Sequence, residues 1–432
     1  ESWRGLIRRV HAHEAEFLPH RRFPLAEMKA LLGTTEPMFE TVFNFTHFHM
    51  LKELKVLPGM DEFTVKVRAE TEFPLRAEFS QDAYTDEVCL SLHYYSNEFE
   101  VDQIVRFAGY YKTSLRQLAR TPDAIYLDHG LLDTAEMARL AKLGRGPVHA
   151  VPETTAIEQI QSQIQQQPHV IALQDDTGQL SFAALAEHAG ALGALLPAGQ
   201  QHVVGVALPR STAWSAAIYA IMAKGDIYLP LDLDMPDARL QELITQAGVH
   251  AIVCAPEQQQ RLAALSASLC DGLSLVSLPL GASAHASTTA LARPQPQDLA
   301  YLMFTSGSTG TPKGAQLEHA GMLNHMLAKI DDLQLDADDV IAQTAPVTFD
   351  VSVWQALTGL LVGARTVIYD KTIQLDLPRF IAQLGADGVT VLEVVPSWFA
   401  ILLDYLESTP DVSHFTRLRA LVLTGEALKQ EL

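Results

Sequence analysis

The sequence predicts an α/β protein in two units, the second built on mixed, largely parallel sheets flanked by helices. Three observations predict it. From about residue 154 short apolar runs alternate with helical stretches, the pattern of parallel strands buried under crossover helices. Before about residue 128 strand-like and helical stretches mix without that regularity. Between them a Gly-Arg-Gly-Pro break at Gly144 to Pro147 interrupts a short helical stretch.

Composition bounds the reading. At roughly 100–200 residues per domain, a chain of 432 residues holds two or three units. With 48% hydrophobic and 19% charged residues it can build large cores, which excludes wholesale disorder. A net charge of −20 argues against a nucleic-acid partner, whose phosphates need clustered Lys and Arg. ATP stays open, because one lysine and a nest of backbone N–H groups hold a triphosphate locally. Cys89, Cys254 and Cys270 are far apart, so neither a zinc site nor a disulfide framework is expected, and a cytoplasmic location fits. The start, ESWRGLIRRV, has no apolar signal core and no initiator Met, so a piece of a longer chain is expected. Val203 to Ala223 is the most apolar stretch. Pro209, Arg210 and hydroxyl residues interrupt it, which reads as buried core and not a membrane span.

In the first unit the spacing predicts a helix over Phe23 to Leu32 and strands over Met38 to Phe48 and Glu87 to Tyr95. A second helix is predicted over Val101 to Ala119, with Ile104, Phe107, Tyr111, Leu115 and Leu118 on one face. His11, His13, His47 and His49 form two His-x-His pairs. Alternate residues of a strand share a face, as a metal site needs, but no third-ligand cluster accompanies them, and ordinary exposed histidines are the expected reading. Asp133 or Thr134 can cap a short helix in the connector, with Glu136 near its start. In the second unit Ile157 to Gln166 is an amphipathic helix. Val170 to Leu173, Val203 to Leu208, Ile227 to Leu231, Ala251 to Cys254 and Leu273 to Leu278 read as strands, and Ser283 to Pro296 as a surface loop.

The sharpest local signal follows the apolar strand Tyr301 to Phe304. The next ten residues, Thr305 to Gly314 (TSGSTGTPKG), carry three glycines and five hydroxyls. Glycine lets backbone N–H groups converge and approach a ligand closely, and such a nest binds anions. Thr305, Ser306, Gly307, Ser308, Thr309, Gly310 and Lys313 are the candidate phosphate-binding residues. The loop is not a Walker motif, because Pro312 precedes Lys313 and Gly314 follows it.

A second signal is FDVSVWQ. Asp350, Val351 and Trp354 are spaced to share a helix face. Asp350 is costly to bury unless it meets a cation; by residue type alone a capping Asp followed by a core Trp fits as well. Val389 to Val395 is a buried-strand pattern with one acid, Glu393, which needs a partner. Leu421 to Leu423 is a last strand, after which TGEALKQEL reads as a helix start.

These stretches resemble the acyl-adenylating superfamily, most closely the adenylation domains of nonribosomal peptide synthetases. TSGSTGTPKG is similar to the family's signature loop. Leu180 to Leu196, Met222 to Leu240, Thr348 to Ala364 and Leu421 to Leu428 are similar to its first, second, fourth and fifth core motifs, in order. The resemblance implies the large lobe of an adenylation domain over 154–432. That lobe forms aminoacyl-AMP and pyrophosphate from an amino acid, ATP and Mg2+, then loads a phosphopantetheine thiol on a carrier domain. It implies an amino-acid pocket at Asp350, Val351, Trp354, Glu393, Val422 and Thr424, with Asp350 on the substrate ammonium. A second carboxylate in that pocket favours a basic substrate, 2,4-diaminobutyrate first, with ornithine, serine or threonine behind it. A carboxylate–CoA ligase of the same superfamily, or a non-catalytic docking piece, are the alternatives.

The first 128 residues resemble the C-terminal half of a condensation domain, a chloramphenicol-acetyltransferase-like α/β fold. The residues that carry this are Leu6 to Leu25, Val42 to His49 and Phe73 to Asp82, and Asp128 to Leu140 resembles the exit linker, so 129–153 is the expected connector. The family's His-His catalytic motif is absent, and its adenylation lysine is expected beyond Leu432, so no catalytic residue is assigned and the residues alone are expected to be weak or inactive. The metal site stays unknown. Partners implied are the amino acid and upstream and downstream carrier domains, without nucleic acid or membrane.

Overall fold

The computed structural model describes residues 1–35, 37–47, 73–81, 87–128, 130–266, 273–277, 293–305, 312–410 and 412–429. Contacts divide the chain into Glu1–Val148 and His149–Leu432.

In the first unit Ser2 caps α1 (Trp3–Phe17) by accepting from Gly5 N. Next come α2 (Leu25–Leu32), β1 (Thr41–His47), β2 (Leu75–Gln81), β3 (Val88–Tyr94), α3 (Val101–Arg120) and α4 (Thr134–Leu143). β1 pairs parallel with β2, and β2 antiparallel with β3. Phe79 of β2 meets Tyr111 of α3 edge-on, with ring centroids 5.5 Å apart. The expected α3 face is only partly core: Ile104 is buried, whereas Leu115 is exposed. Asp133 caps α4 by accepting from Glu136 N at 2.8 Å. The shared strand face that a metal site would need is not present at the first His-x-His pair. His11 and His13 lie on α1, a helix, where residues two apart diverge instead of sharing a face. His49 lies outside the described residues.

The second unit begins with α5 (Ala156–Gln166), β4 (Ile171–Gln174), β5 (Gln179–Ser181) and α6 (Phe182–Leu195). It continues through β6 (Val203–Ala207), α7 (Thr212–Lys224), β7 (Ile227–Pro230), α8 (Asp237–Ala247), β8 (Val249–Cys254), α9 (Gln259–Ser266) and β9 (Ser274–Ser277). β10 (Leu299–Thr305), β11 (Lys313–Glu318) and α10 (His319–Leu333) follow. The last part holds β12 (Val340–Gln343), α11 (Val351–Val362), β13 (Arg365–Ile368), α12 (Lys371–Leu375), α13 (Leu377–Asp387), β14 (Val391–Val394), α14 (Pro396–Ser408) and β15 (Ala420–Leu423). Most of the surface loop expected over 283–296 lies outside the described residues.

These strands make two six-stranded sheets, ordered β11-β10-β7-β6-β8-β9 and β15-β14-β12-β13-β4-β5, parallel except for β11 and β5. α7 touches both, through β6 and β7 on one side and β4 on the other. Its residues Trp214 to Ala223 are all buried. A helix apolar on every side has no amphipathic stripe, because it has no solvent face. This accounts for Val203 to Ala223: it is a strand and a core helix separated by Pro209 and Arg210. Among the described residues no helix is long and apolar enough to cross a membrane.

At the N-terminal ends of three strands, Asp339 holds the second sheet in register. Arg419 donates to both its carboxylate oxygens, Nε to Oδ1 at 2.8 Å and Nη2 to Oδ2 at 2.6 Å, and Thr390 Oγ1 donates to Oδ1 at 2.6 Å. Burial raises the Asp339 pKa, but the bonds from Arg419, Thr390 and Asp336 N outweigh it and leave it below the ordinary aspartate value. A depressed carboxylate stabilises the fold fully above the unfolded-state pKa and loses that contribution as pH falls through the folded one. Asp339→Ala is expected to lower stability at neutral pH by about 2 kcal/mol, the scale of hydrogen bonds to a charged group, and to flatten the loss of stability on acidification. Denaturant unfolding from neutral to acid pH reads both; parallel wild-type and variant profiles refute it.

Candidate active site

β12 is the switch point of the second sheet. β13 lies on one side of it and β14 on the other. α11 packs on one face, where Trp354 meets Ile341 and Val391. α13 packs on the other, where Phe380 meets Leu392 and Val394. In open α/β sheets the crevice outside the strand ends at such a point is where ligands bind. Here it is a cavity of about 430 Å³, walled by the segment after β12, the end of β14 and the turn after β15.

The segment between β12 and α11 is firmly held. Gln355 Oε1 accepts from Thr344 N and Ala345 N, both at 2.9 Å, and Thr344 Oγ1 donates to Glu393 O at 2.8 Å. Ser352 Oγ donates to Phe349 O at 2.6 Å. Arg210 donates to Thr344 O and, at 3.3 Å, to Gln374 Oε1; burial lowers its pKa to about 10. This scaffold ends in Asp350, whose carboxylate caps α11 by accepting from Val351 N at 2.9 Å and is otherwise exposed. Asp350 thus precedes the helix, and Trp354, one turn in, is 1% exposed. The arrangement shows the capping reading, with a capping Asp followed by a core Trp, and neither Asp350 nor Trp354 lines the cavity.

Glu393 stands on β14, 3% exposed, in register with Val422 of β15. The pleat puts both on one face, with Thr424 two residues beyond Val422 on the same side. Val351, Glu393 and Thr424 line the cavity. Burial pushes the Glu393 pKa up; Lys329 and the Trp354 indole oppose it, while the charge of Asp350 adds to it. The partner that Glu393 needs is found within the chain: Lys329 of α10 places Nζ 3.8 Å from Oε1 and 4.7 Å from the Trp354 ring centroid. Lys329 left one trace in the sequence. It lies seven residues after Met322 and three after Met326, on the buried stripe of α10, where a lysine is unusual. Asp350 also reaches Tyr301, whose pKa is raised to about 12 by burial and then by that charge.

After β15 the chain turns rather than starting a helix, which corrects another expectation. Gly425 has φ +83°, and Glu426 accepts from Ser397 N at 2.9 Å and Ser397 Oγ at 2.8 Å, capping the start of α14. No helix begins through Lys429.

The phosphate-loop candidates lie on the other sheet. Thr305 ends β10 and Lys313 begins β11; the two are register partners in an antiparallel pair, and both are exposed. Lys313 and Gly314 therefore belong to a strand and not to a turn. Ser306, Gly307, Ser308, Thr309 and Gly310 lie outside the described residues. Among the described residues no three His, Cys, Asp or Glu side chains gather to hold a metal.

Comparison with known proteins agrees with this architecture. The family model for AMP-binding enzymes matches residues 160–432, and that for condensation domains matches residues 1–141. The class is therefore an AMP-binding enzyme preceded by a condensation domain. Vanchrobactin synthetase VabF of Vibrio anguillarum is 30% identical over 99% of this chain, which spans 15% of that relative's length. Enterobactin synthase component F of Escherichia coli K12 is 29% identical over 100% of this chain, which spans 33% of its length. The fold of holo-AB3403, a four-domain nonribosomal peptide synthetase bound to AMP and glycine, covers 99% of this chain and 33% of its own, with a TM-score of 0.77 at 21% identity. The chain belongs to the nonribosomal peptide synthetases, as a condensation domain followed by an adenylation domain.

A raised carboxyl pKa carries its own signature. A group protonated more readily in the folded state costs nothing below the unfolded-state pKa, and its penalty develops as pH rises through the folded one. Glu393→Gln is expected to match wild type in acid and to exceed it in stability near neutrality. Unfolding curves across that range test this; a variant less stable at neutral pH contradicts it.

Proposed function

We propose that the second unit activates an amino acid with ATP, giving aminoacyl-AMP and pyrophosphate, and that the aminoacyl group then passes to a phosphopantetheine thiol on a carrier domain. The observation that carries this reading is the cavity at the switch point, walled by Val351, Glu393 and Thr424, with the exposed Asp350 capping the helix that starts at Val351. At about 430 Å³ the cavity falls within the size of small-ligand pockets. An exposed carboxylate there suits an α-ammonium group. A fatty or aryl acid offers it no cation, which disfavours the carboxylate–CoA ligase reading. A non-catalytic docking role gives no reason for two carboxylates at a sheet's switch point.

In this proposal Thr305 to Lys313 grips the leaving phosphates through backbone N–H groups and the lysine charge. Asp350 orients the amino acid so that its carboxylate meets the α-phosphate through proximity, without a covalent enzyme intermediate. Mg2+ would screen the phosphate charge. The first unit would serve peptide-bond formation between carrier-bound substrates.

Charge bears on the preferred substrate. Lys329 Nζ already stands 3.8 Å from Glu393 Oε1, so Glu393 does not require a cation from the substrate side chain. This supports a neutral polar side chain such as serine or threonine. The diamino reading, 2,4-diaminobutyrate or ornithine, keeps one observation in its favour: Glu393 Oε2 has no hydrogen-bond partner among the described residues.

Asp350→Ala is expected to raise the amino-acid KM in ATP–pyrophosphate exchange by about ten- to hundredfold, the scale of a charge-assisted bond, with ATP KM little changed. Lys313→Ala is expected to weaken ATP binding in calorimetry. Unaltered exchange in the first variant, or unaltered ATP affinity in the second, sinks the corresponding assignment.

A further inference from the structure

Arg210 is a partly buried cation that spends its donors on carbonyl oxygens. It stands in the connection from β6 to α7, inside an otherwise apolar stretch. Its Nη1 donates to Thr344 O and, at 3.5 Å, to Ala345 O, and its Nη2 donates to Gln374 Oε1 at 3.3 Å. Asp370 acts on it through charge alone. The Asp370 carboxylate is committed to the start of α12, where it accepts from Ile373 N at 2.8 Å and Thr372 Oγ1 at 2.7 Å. Burial therefore outweighs that charge and pulls the Arg210 pKa down to about 10. A cation taken from water without a carboxylate in contact is costly, and an apolar residue would join β6 to the buried α7 at lower cost.

The partners of Arg210 give the reason for that cost. Thr344, Ala345 and Gln374 all line the cavity, and Arg210 itself does not. Every polar group of Thr344 is held. Its N donates to Gln355 of α11 at 2.9 Å, its Oγ1 donates to Glu393 O of β14 at 2.8 Å, and its O accepts from Arg210 and, at 3.0 Å, from Gln374 Nε2 of α12. Gln355, Glu393 and Gln374 belong to the second sheet and its connecting helices. Of these four partners only Arg210 comes from the first sheet. That sheet runs β11-β10-β7-β6, so the strand leading to Arg210 is one removed from the strand that ends at Thr305 and pairs with Lys313. A guanidinium is a planar fork, so donors on separate acceptors fix direction as well as distance, which an ammonium does not.

We propose that Arg210 is a positioning residue of the adenylation reaction: it holds the cavity wall at Thr344 and Ala345 in fixed relation to the sheet that carries Thr305 and Lys313, so that the amino acid lies aligned with the α-phosphate of ATP. This rests on the amino-acid-activating reading above and deepens it. Arg210 acts through the Thr344 and Ala345 carbonyls and not by touching either substrate.

The test is ATP–pyrophosphate exchange by the intact protein, first with a panel of proteinogenic and diamino acids, then with the best of them on wild type, Arg210→Met and Arg210→Lys. A merely structural loss lowers the fraction of active protein and with it the apparent kcat, but leaves both KM values in place. Arg210→Met is expected to raise the amino-acid KM about tenfold, the scale of a lost charge-assisted bond, while the ATP KM stays within about twofold. Arg210→Lys keeps the charge and one donor without the fork, and is expected to raise the amino-acid KM by about threefold, again with the ATP KM in place. An amino-acid KM unmoved in Arg210→Met, or raised in step with the ATP KM, overturns the role of Arg210 while leaving amino-acid activation standing. If Arg210→Met does not fold, the two KM values of Arg210→Lys decide by the same criterion. Exchange by wild type with no amino acid of the panel would instead overturn the activation reading, and this inference with it.

Discussion

A carboxylate buried on a central parallel strand must be compensated, and the candidate site is organised around how Glu393 is. A buried ion pair is weak evidence for stability, because desolvation offsets much of the attraction. The geometry here is poor by that standard. Lys329 stands at 3.8 Å, beyond hydrogen-bond length, and one carboxylate oxygen is unpartnered. Apolar residues would fill this position at lower cost. An incompletely satisfied carboxylate that persists on the face it shares with Val422 and Thr424 has the character of a functional group, where folds commonly carry such local costs.

That cost is tolerable because the opposite ends of the same strands are tightly tied. Asp339, Thr390 and Arg419 fasten β12, β14 and β15 at their N-terminal ends through three bonds of 2.6 to 2.8 Å. With register fixed there, the C-terminal ends can carry the segment before α11 and the turn after β15, which wall the cavity. Gln355 then couples the two. It lies on α11, and its oxygen fixes the backbone that leads into Asp350. α11 itself is buried from Ser352 to Leu361, so its N-terminus cannot shift without disturbing the core. The position of Asp350 is thus a consequence of packing as much as of its own cap.

The sequence made the fold largely legible, because strands buried on both faces and helices buried all round leave strong local patterns. β6, β7, β8 and β14 fall within runs of Val, Ile, Leu and Ala, and α5, α6 and α7 begin at Thr155, Ser181 and Ser211, each accepting from a first-turn N–H. What escaped was set by long-range partners. Glu426 caps α14 from 29 residues away, so TGEALKQEL looked helical when its acid was committed elsewhere. β11 escaped because Pro312, Lys313 and Gly314 resemble a turn, while their fate depends on pairing with β10. Lys329 escaped because its partner lies 64 positions further on, across the sheet.

The pairing of Lys329 with Glu393 also shows why residue type alone misjudges a pocket. Read along the chain, a lone acid in VTVLEVV calls for a cation, and a substrate is the obvious donor. Read in three dimensions, the cation is intramolecular, and a substrate need not supply one. A pocket's preference is set by the polar atoms its own side chains leave unsatisfied, and those are defined only once all intramolecular partners have been assigned.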